Sequence, residues 1–181
     1  MQTLIKVGEY ATKYGVGALR QKIGQKLYEM RADYGAWEKK HRASPEELGE
    51  QRKKIFPYMP LISIVVPIYH TPKKFLCAMV ESVLSQSYPR WELCIVSAGI
   101  DAENSELLAS YGNDSRIQVK YLDRNQGIAE NTNIALAMAT GEYVAFLDHD
   151  DLLSCDALFE VVSVLQEKES AVDLIYSDED K

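Results

Sequence analysis

From residue 61 onward the sequence alternates short apolar runs with segments of helical periodicity, and this alternation constrains the fold more than any other feature. Runs rich in β-branched residues predict strands, and the amphipathic stretches between them predict helices. Such a series is typical of a mostly parallel sheet flanked by helices, which places the chain in the α/β class. The predicted strands are residues 61–68, 91–97, 117–122, 143–147 and 173–176, and the predicted helices are residues 72–86, 103–111, 128–139 and 152–166.

The fourth predicted strand, residues 143–147, leads directly into three carboxylates, Asp148, Asp150 and Asp151. Its run of apolar residues without polar alternation predicts a strand buried on both faces. Ligands of open α/β sheets lie beyond the carboxyl ends of the strands. Because Mg²⁺ is typically held by one or two carboxylates plus substrate phosphates, this triplet is a candidate metal site. The alternative is that Asp150 or Asp151 caps the helix predicted from residue 152.

The loops after the other strands are expected at the same edge of the sheet. Tyr69, after the first strand, either stacks on a base or packs against the core. Arg124 either pairs with a phosphate or is a solvated surface residue. Gly127 opens a predicted helix, where it either lets a diphosphate approach the backbone amides or makes a tight turn.

Two residues are expected to cap helices. Thr71 precedes Pro72 and is predicted to cap the helix that starts there. Gly141 lies just beyond the helix predicted for residues 128–139 and is predicted to be its carboxyl-terminal cap.

Charge and composition disfavour several classes of protein. Residues 57–181 hold 8 basic and 20 acidic residues, a balance that suits a metal-dependent nucleotide site better than nucleic-acid binding. No G-x-G-x-x-G or Walker A sequence is present. The three cysteines are widely spaced and predict reduced thiols in a cytoplasmic protein. No apolar stretch approaches the roughly 20 residues of a membrane span, and no signal-peptide core is recognisable at the N-terminus.

Residues 1–56 predict a helical arm with a different character. They hold 12 basic and 7 acidic residues, and their apolar positions recur with helical spacing. Such a basic amphipathic helix contacts an anionic membrane surface, packs on the domain or associates with a second copy. A second helix is predicted from Ser44-Pro45 to about Lys54, and residues 56–60 are predicted to be the linker. The residues of the apolar face are Leu19, Ile23, Leu27, Met30, Tyr34 and Trp37.

Several stretches, taken together in this order and spacing, resemble the nucleotide-binding half of family 2 glycosyltransferases with the GT-A (Rossmann-like) fold. Members of that family from bacterial surface-polysaccharide synthesis also carry a helical preface like this one. The matching stretches are residues 60–69 (PLISIVVPIY), 81–93 (ESVLSQSYPRWEL), 125–128 (NQGI), 141–151 (GEYVAFLDHDD) and 176–181 (YSDEDK).

This resemblance implies a function and its site residues. Pro67 and Tyr69 would line the nucleoside pocket, and Asp148 and Asp150 would hold Mg²⁺ or Mn²⁺ on the donor diphosphate. The implied reaction is inverting transfer of a sugar from a UDP- or dTDP-linked donor to a glycan or lipid-linked acceptor, in the cytoplasm or at the inner face of the membrane. The residues expected to bind the nucleotide sugar are Pro67, Tyr69, Asp101, Arg124, Gly127 and Asp148.

The sequence departs from the family pattern in two places. Where the family has an acidic element after the second strand, this chain has Ser97-Ala98-Gly99, so the base contact is absent or taken over by Asp101. The catalytic base is expected beyond Lys181. A degenerate, non-catalytic GT-A module that serves as a scaffold is therefore the alternative function. A receiver-like signalling domain is disfavoured, because its acidic pair should follow the first strand.

Overall fold

The computed structural model describes Gly17, residues 39–99, residues 102–167 and residues 172–176. Contacts divide the chain into two units, Met1–Arg42 and Ala43–Lys181. The amphipathic helix predicted for the arm lies outside the described residues, as does Asp101. The contact of the arm with a membrane or with a second copy therefore stays a prediction.

The second unit is built on a sheet of four parallel strands in the order β3-β2-β1-β4. This arrangement confirms the predicted α/β class and the mostly parallel sheet flanked by helices. The strands are β1 (Ile62–Ile68), β2 (Trp91–Ala98), β3 (Ile117–Leu122) and β4 (Tyr143–Phe146). The helices are α1 (Pro45–Lys53), α2 (Lys73–Leu84), α3 (Ala102–Ser110), α4 (Ile128–Leu136) and α5 (Ala157–Glu167).

The core lies around the two central strands. Every residue of β2 is buried, and so are all residues of β1 except Pro67, because helices cover the sheet where it is paired on both sides. The helix α2 buries one face, with apolar residues three or four positions apart. The buried residues of that face are Leu76, Met79, Val80 and Val83.

The strand β4 differs from its prediction. It pairs with β1 on one side, and its residues alternate between partly buried and exposed, with Phe146 70% exposed. The prediction that it is buried on both faces is therefore wrong for the described structure. The apolar run correctly predicts a strand that contacts the core. Only the strand order shows that this strand lies at an edge of the described sheet.

The end of the chain also departs from prediction. Residues 172–176 have no regular secondary structure, so a strand at 173–176 is wrong. The helix predicted from residue 152 begins at Ala157, so neither Asp150 nor Asp151 caps it. The reason is that the backbone of Leu153 and Ser154 hydrogen-bonds to side chains of α2 and of the turn that follows it.

Both predicted caps are wrong. The residue at the start of α2 is Pro72, which has no capping side chain, and the hydroxyl of Thr71 is buried. The helix α4 ends at Leu136, and its C-cap residue is Ala137, four residues before Gly141. Gly141 is required for another reason: a Cβ there would lie 2.5 Å from the carbonyl oxygen of Leu61.

The helix predicted after Ser44 is confirmed, and it carries a complete capping box. Ser44 Oγ accepts from the Glu47 amide at 3.2 Å, and the Ser44 amide donates to the Glu47 carboxylate at 2.7 Å. This helix belongs to the same compact unit as the sheet, whereas the predicted division after residue 56 assigned it to the arm. Phe56, in the predicted linker, is buried and its ring lies 5.1 Å from that of Phe159.

Candidate functional site

The strand order creates a switch point beside β1. From β1 the chain moves outward through β2 and β3, and it then returns to the other side of β1 as β4. In open α/β sheets, ligands bind in the crevice outside the carboxyl ends of the strands at such a point. Tyr69 follows β1 there and Asp148 follows β4. The Leu147 amide still donates to the carbonyl oxygen of Val65 at 3.3 Å, which keeps β4 aligned with β1 up to the carboxylates.

Residues 148–151 form the acidic turn, which is closed by a hydrogen bond from the Asp151 amide to the Asp148 carbonyl oxygen at 3.2 Å. Asp148 and Asp150 are both exposed. His149 Nδ1 lies 3.6 Å from the Asp150 carboxylate, an ion pair whenever the imidazole is protonated. The turn therefore presents two hard oxygen donors to solvent at the switch point.

These donors fit a divalent cation that is shared with a ligand. Mg²⁺ keeps several waters and is held by one or two carboxylates plus substrate phosphates. Among the residues that the structure describes, no three His, Cys, Asp or Glu side chains converge to hold a metal ion. Two carboxylates are fewer ligands than Mg²⁺ requires, so a cation on the acidic turn would need phosphate oxygens and water to complete its coordination.

The loop after β1 places Tyr69 at the same edge. The residue is 45% exposed, and its ring centroid lies 4.1 Å from that of His70. Asn104, buried in α3, donates to the Thr71 carbonyl oxygen at 2.8 Å and ties this loop to the helix. Pro67 is partly exposed near the end of β1. The Tyr69 side chain is thus accessible at this edge, and the stacking of a base on it stays a prediction.

The residues at the end of β2 have no exposed side chain at this edge of the sheet. Ser97 and Ala98 are buried, and Gly99 has a φ of +84°, where a residue with a Cβ is strained. A Cβ at position 99 would also lie 3.5 Å from a ring carbon of Tyr69. That distance is an ordinary contact, so the Tyr69 ring packs beside Gly99, and residues 97–99 offer no carboxylate there.

The loop after β3 lies at the far end of the edge. Arg124 is exposed and contributes to an open depression of about 300 Å³, whose other lining residues are Tyr121, Leu122, Asp123 and Gln126. Since β3 and β4 are the outer strands, three strand spacings, or roughly 14 Å, separate them. The structure thus brings Tyr69 and Asp148 to neighbouring strands and leaves Arg124 at the opposite end.

Gly127 stands at the start of α4 with a φ of +92°. Its amide donates to Asn125 Oδ1 at 2.9 Å, and the same oxygen accepts from Asn131 Nδ2 at 2.8 Å. Asn131 is 2% exposed, so a buried amide on the inner face of α4 fixes the loop. Sequence reasoning missed Asn131 and Asn104. Each could have been recognised as a side-chain amide at a position of a helix where the spacing predicts a buried apolar residue.

A second polar cluster lies at the amino-terminal edge of the sheet and consists of Glu92, Ser63, Thr140 and Gly141. Ser63 Oγ donates to the Glu92 carboxylate at 2.6 Å, and the Thr140 amide donates to it at 2.6 Å. Burial raises the pKa of Glu92, but the hydrogen bonds from Ser63, Thr140 and Gly141 outweigh that effect and hold it below the usual value. This carboxylate is therefore structural.

Comparison with known proteins decides the family. The family model described as Glycosyl transferase family 2 matches residues 63–181, which include the switch point and the acidic turn. The chain belongs to glycosyltransferase family 2. The sequence resemblance is thereby confirmed.

One relative that the chain matches is named for teichuronic acid biosynthesis. TuaG of Bacillus subtilis, a putative teichuronic acid biosynthesis glycosyltransferase, is 38% identical over 115 residues, which are 63% of this chain and 45% of TuaG. The chain spans less than half of the length of the first relatives that it matches.

Solved structures share the fold. TarS from S. aureus, residues 1–349 in complex with UDP-GlcNAc, superposes with a TM-score of 0.55 and 26% identity, covering 59% of this chain and 31% of that one. The mannosyltransferase PcManGT from Pyrobaculum calidifontis, solved with GDP-Man and Mn²⁺, gives a TM-score of 0.55 at 22% identity, covering 66% of this chain and 38% of that one. The described helices include none that is long and apolar enough to cross a membrane.

Proposed function

We propose that the α/β unit of this family 2 glycosyltransferase binds a nucleoside-diphosphate sugar, with UDP or dTDP as the nucleotide, and takes part in building a surface glycan. The observation that carries the proposal is the position of the acidic turn, beside Tyr69 at the switch point of the sheet. The relative TarS was solved in complex with UDP-GlcNAc, and the relative TuaG is named for teichuronic acid biosynthesis. Both support this choice of donor and pathway.

In the proposed site, Asp148 and Asp150 hold a divalent cation, Mg²⁺ or Mn²⁺, against the donor diphosphate. Both carboxylates are exposed, and the acidic turn leaves coordination positions for phosphate oxygens. A cation bound there supplies Lewis-acid stabilisation of the charge that develops on the departing nucleoside diphosphate. The two aspartates fix the donor and move no proton.

The other edge residues would hold the nucleotide. The exposed ring of Tyr69 offers a stacking surface for the base, next to Pro67 at the end of β1. Gly127 leaves the first turn of α4 open to a phosphate, because nothing lies within 4 Å of where its Cβ would be. Arg124 is assigned to the distal part of the donor pocket, and Asp101 keeps the role in binding the nucleotide sugar that the sequence predicts.

The proposed transfer inverts the anomeric centre by a single displacement. The acceptor hydroxyl, on a glycan or a lipid-linked carrier, bonds to the anomeric carbon as the bond to the diphosphate breaks. A carboxylate base takes the hydroxyl proton, and we assign none of the described residues to that role. The donor half of the reaction is thus placed on the acidic turn and the loops beside it.

A non-catalytic module with the same fold is the second candidate. The observation that favours it is the end of β2, where buried Ser97 and Ala98 and the side-chain-free Gly99 offer no carboxylate to a nucleotide base. In that case the unit would serve as a scaffold.

Calorimetric titration of the purified chain with UDP and dTDP, with and without Mn²⁺, separates the two candidates. The proposal expects binding that appears with Mn²⁺ or Mg²⁺ and disappears when EDTA removes the metal. Binding that is indifferent to metal, or no binding of either nucleotide with metal present, contradicts the donor site and leaves the scaffold.

A further inference from the structure

The acidic turn is held between two fixed points. On the side of β4, the Leu147 amide donates to the carbonyl oxygen of Val65 at 3.3 Å. On the other side, the Leu153 amide donates to Ser82 Oγ in α2 at 3.2 Å. Ser82 Oγ itself donates to the carbonyl oxygen of Met79 at 2.7 Å, which orients the hydroxyl so that its lone pair faces Leu153. Five residues, 148–152, span the gap.

Gln86 adds further hydrogen bonds at the second fixed point, and together with those of Ser82 they are called the clasp. Its Nε2 donates to the carbonyl oxygens of Ser154 at 2.6 Å and Ser82 at 3.1 Å, and its Oε1 accepts from the Leu158 amide at 3.1 Å. The amide of the next residue, Ser87, donates to the carbonyl oxygen of Cys155 at 2.7 Å. The side chain is only 6% exposed, so it uses both ends of its amide on backbone groups.

The clasp acts on a segment with little other anchorage. Ser154 and Cys155 are exposed, and the segment is not helical until Ala157. Hydrogen bonds to α2 and the turn after it therefore set the path of the chain immediately after the acidic turn. Residues 81–93 matched the family pattern in the sequence, yet none of them lies among the proposed ligands of the donor.

We propose that Gln86 and Ser82 are positioning residues, which set the acidic turn so that Asp148 and Asp150 meet the metal and the diphosphate together. The inference rests on the proposed function and assigns a role to two residues outside the donor pocket. A short exposed turn samples many conformations unless its ends are fixed, and a ligand that must first order the turn binds more weakly. Groups that orient metal ligands typically change metal affinity by roughly 10–100-fold when they are removed.

A glutamine elsewhere in the unit provides a matched control. Gln166 in α5 donates to the carbonyl oxygen of Tyr58 at 2.8 Å and accepts from its amide at 3.2 Å. It thus makes a clasp of the same kind, between α5 and the segment before β1. Gln86→Leu and Gln166→Leu remove equivalent hydrogen bonds, and only the first removes them from the segment after the acidic turn.

The test compares four variants of the full chain with the unchanged protein: Gln86→Leu, Ser82→Ala, Ser82→Thr and Gln166→Leu. Thermal melts establish the temperature range in which each is folded. Within that range, UDP is titrated at a series of Mn²⁺ concentrations, and hydrogen exchange is followed in peptides that cover residues 147–158. Ser82→Ala removes only the hydroxyl that bonds to Leu153 and Met79 and leaves the amide of Gln86 in place, so it remains informative if Gln86→Leu does not fold.

The proposal expects about a tenfold weaker Mn²⁺-dependent binding of UDP for Gln86→Leu, a severalfold weaker binding for Ser82→Ala, and recovery in Ser82→Thr. Exchange in residues 147–158 should rise in the first two variants and stay unchanged in Gln166→Leu, whose UDP affinity should also be unchanged. Equal UDP affinity for the unchanged protein, Gln86→Leu and Ser82→Ala overturns the positioning role alone. An unchanged protein that shows no metal-dependent binding overturns the proposed function, and the positioning role with it.

Discussion

The carboxylates at the two edges of the sheet differ in burial and in hydrogen bonding. At the amino-terminal edge, Glu92 is buried and accepts hydrogen bonds from Ser63, Gln118 and Thr140. At the carboxyl-terminal edge, Asp148 and Asp150 are exposed on a short turn. A buried carboxylate whose lone pairs are satisfied stabilises the fold and has no capacity left for a ligand. Exposed carboxylates at the switch point contribute little to stability and are free to bind one.

The amino-terminal edge also shows why such a carboxylate is needed. Glu92 joins β2 to β1 through Ser63 and to the residues that enter β4 through Thr140. At the same place Gly141 lets the chain pass against the backbone of Leu61. The cluster therefore ties the residues that enter β4 to β1 and β2, and the pairing of β4 with β1 leads the chain on to Asp148.

The largest expected effect is on ligand binding at the carboxyl-terminal edge. Replacing Asp148 with alanine should weaken Mn²⁺-dependent UDP binding by about 100-fold, because it removes one of two proposed metal ligands. The unfolding free energy should change by less than about 0.5 kcal/mol, since the side chain is exposed. Calorimetry and urea unfolding measure the two effects.

The control for this change is Glu106→Ala, which removes an exposed carboxylate on α3. It should leave UDP affinity unchanged. A large loss of stability in Asp148→Ala, or equal loss of affinity in both variants, would break the contrast between the edges.

At the amino-terminal edge, Gly141→Ala should lower the unfolding free energy by about 2 kcal/mol, because the new methyl group overlaps backbone that cannot easily move. The clash is at 2.5 Å from the Leu61 carbonyl oxygen. Gly49→Ala is the matched control: nothing lies within 4 Å of its Cβ position in α1, so it should stabilise by up to about 1 kcal/mol. Urea unfolding measures the stability of both variants. Equal stabilities would contradict the close approach of residue 141 to the backbone of Leu61.

The change Glu92→Gln should lower the unfolding free energy by about 1.5 kcal/mol, because it replaces hydrogen bonds to a charged acceptor by bonds to a neutral one. The side-chain nitrogen of the new amide is itself a donor, so it would face other donors, such as the Thr140 amide, without an acceptor. UDP binding by the folded variant should match that of the unchanged protein. A variant that keeps full stability but loses UDP binding would reverse the roles given to the two edges.

The smallest expected effect is the pH dependence of the stability difference between the unchanged protein and Glu92→Gln. The pKa of Glu92 is lower in the folded protein than the ordinary value of 4.5 that the unfolded chain approaches. Its contribution is therefore complete above about pH 4.5 and is lost as the pH falls through the folded pKa. The stability difference between the unchanged protein and Glu92→Gln should shrink as unfolding is measured at successively lower pH below 4.5. A difference that grows on acidification would contradict this assignment.

Much of the fold was predictable from local patterns. The boundaries of β3 were correct, those of β1 and β2 were correct to one residue, and the capping sequence at Ser44 located α1. These features follow from side chains that are near in sequence, through apolar periodicity and helix capping. The placement of Tyr69 and Asp148 at the same edge of the sheet followed from the rule for parallel sheets, whereas the neighbouring positions of their strands came from the structure.

The errors arose where distant residues decide the local structure. Thr71 and Gly141 were given capping roles from their neighbours in sequence, whereas one is buried and the other is required by the backbone of Leu61. The start of α5 was placed five residues early because Gln86, some 70 positions away, holds the preceding segment. None of these contacts leaves a periodic signal in the sequence.

The sequence by itself determined the α/β class, the family and the carboxylates of the proposed metal site, because each depends on residue type, spacing or motif. Only the tertiary structure decided that β4 stands at an edge of the described sheet, that Arg124 lies far from Asp148, and that Glu92 is structural. It also revealed the clasp of Gln86 and Ser82 on the acidic turn. These properties depend on which strands are neighbours and which polar groups lose contact with water, and both are set by packing across long stretches of the chain.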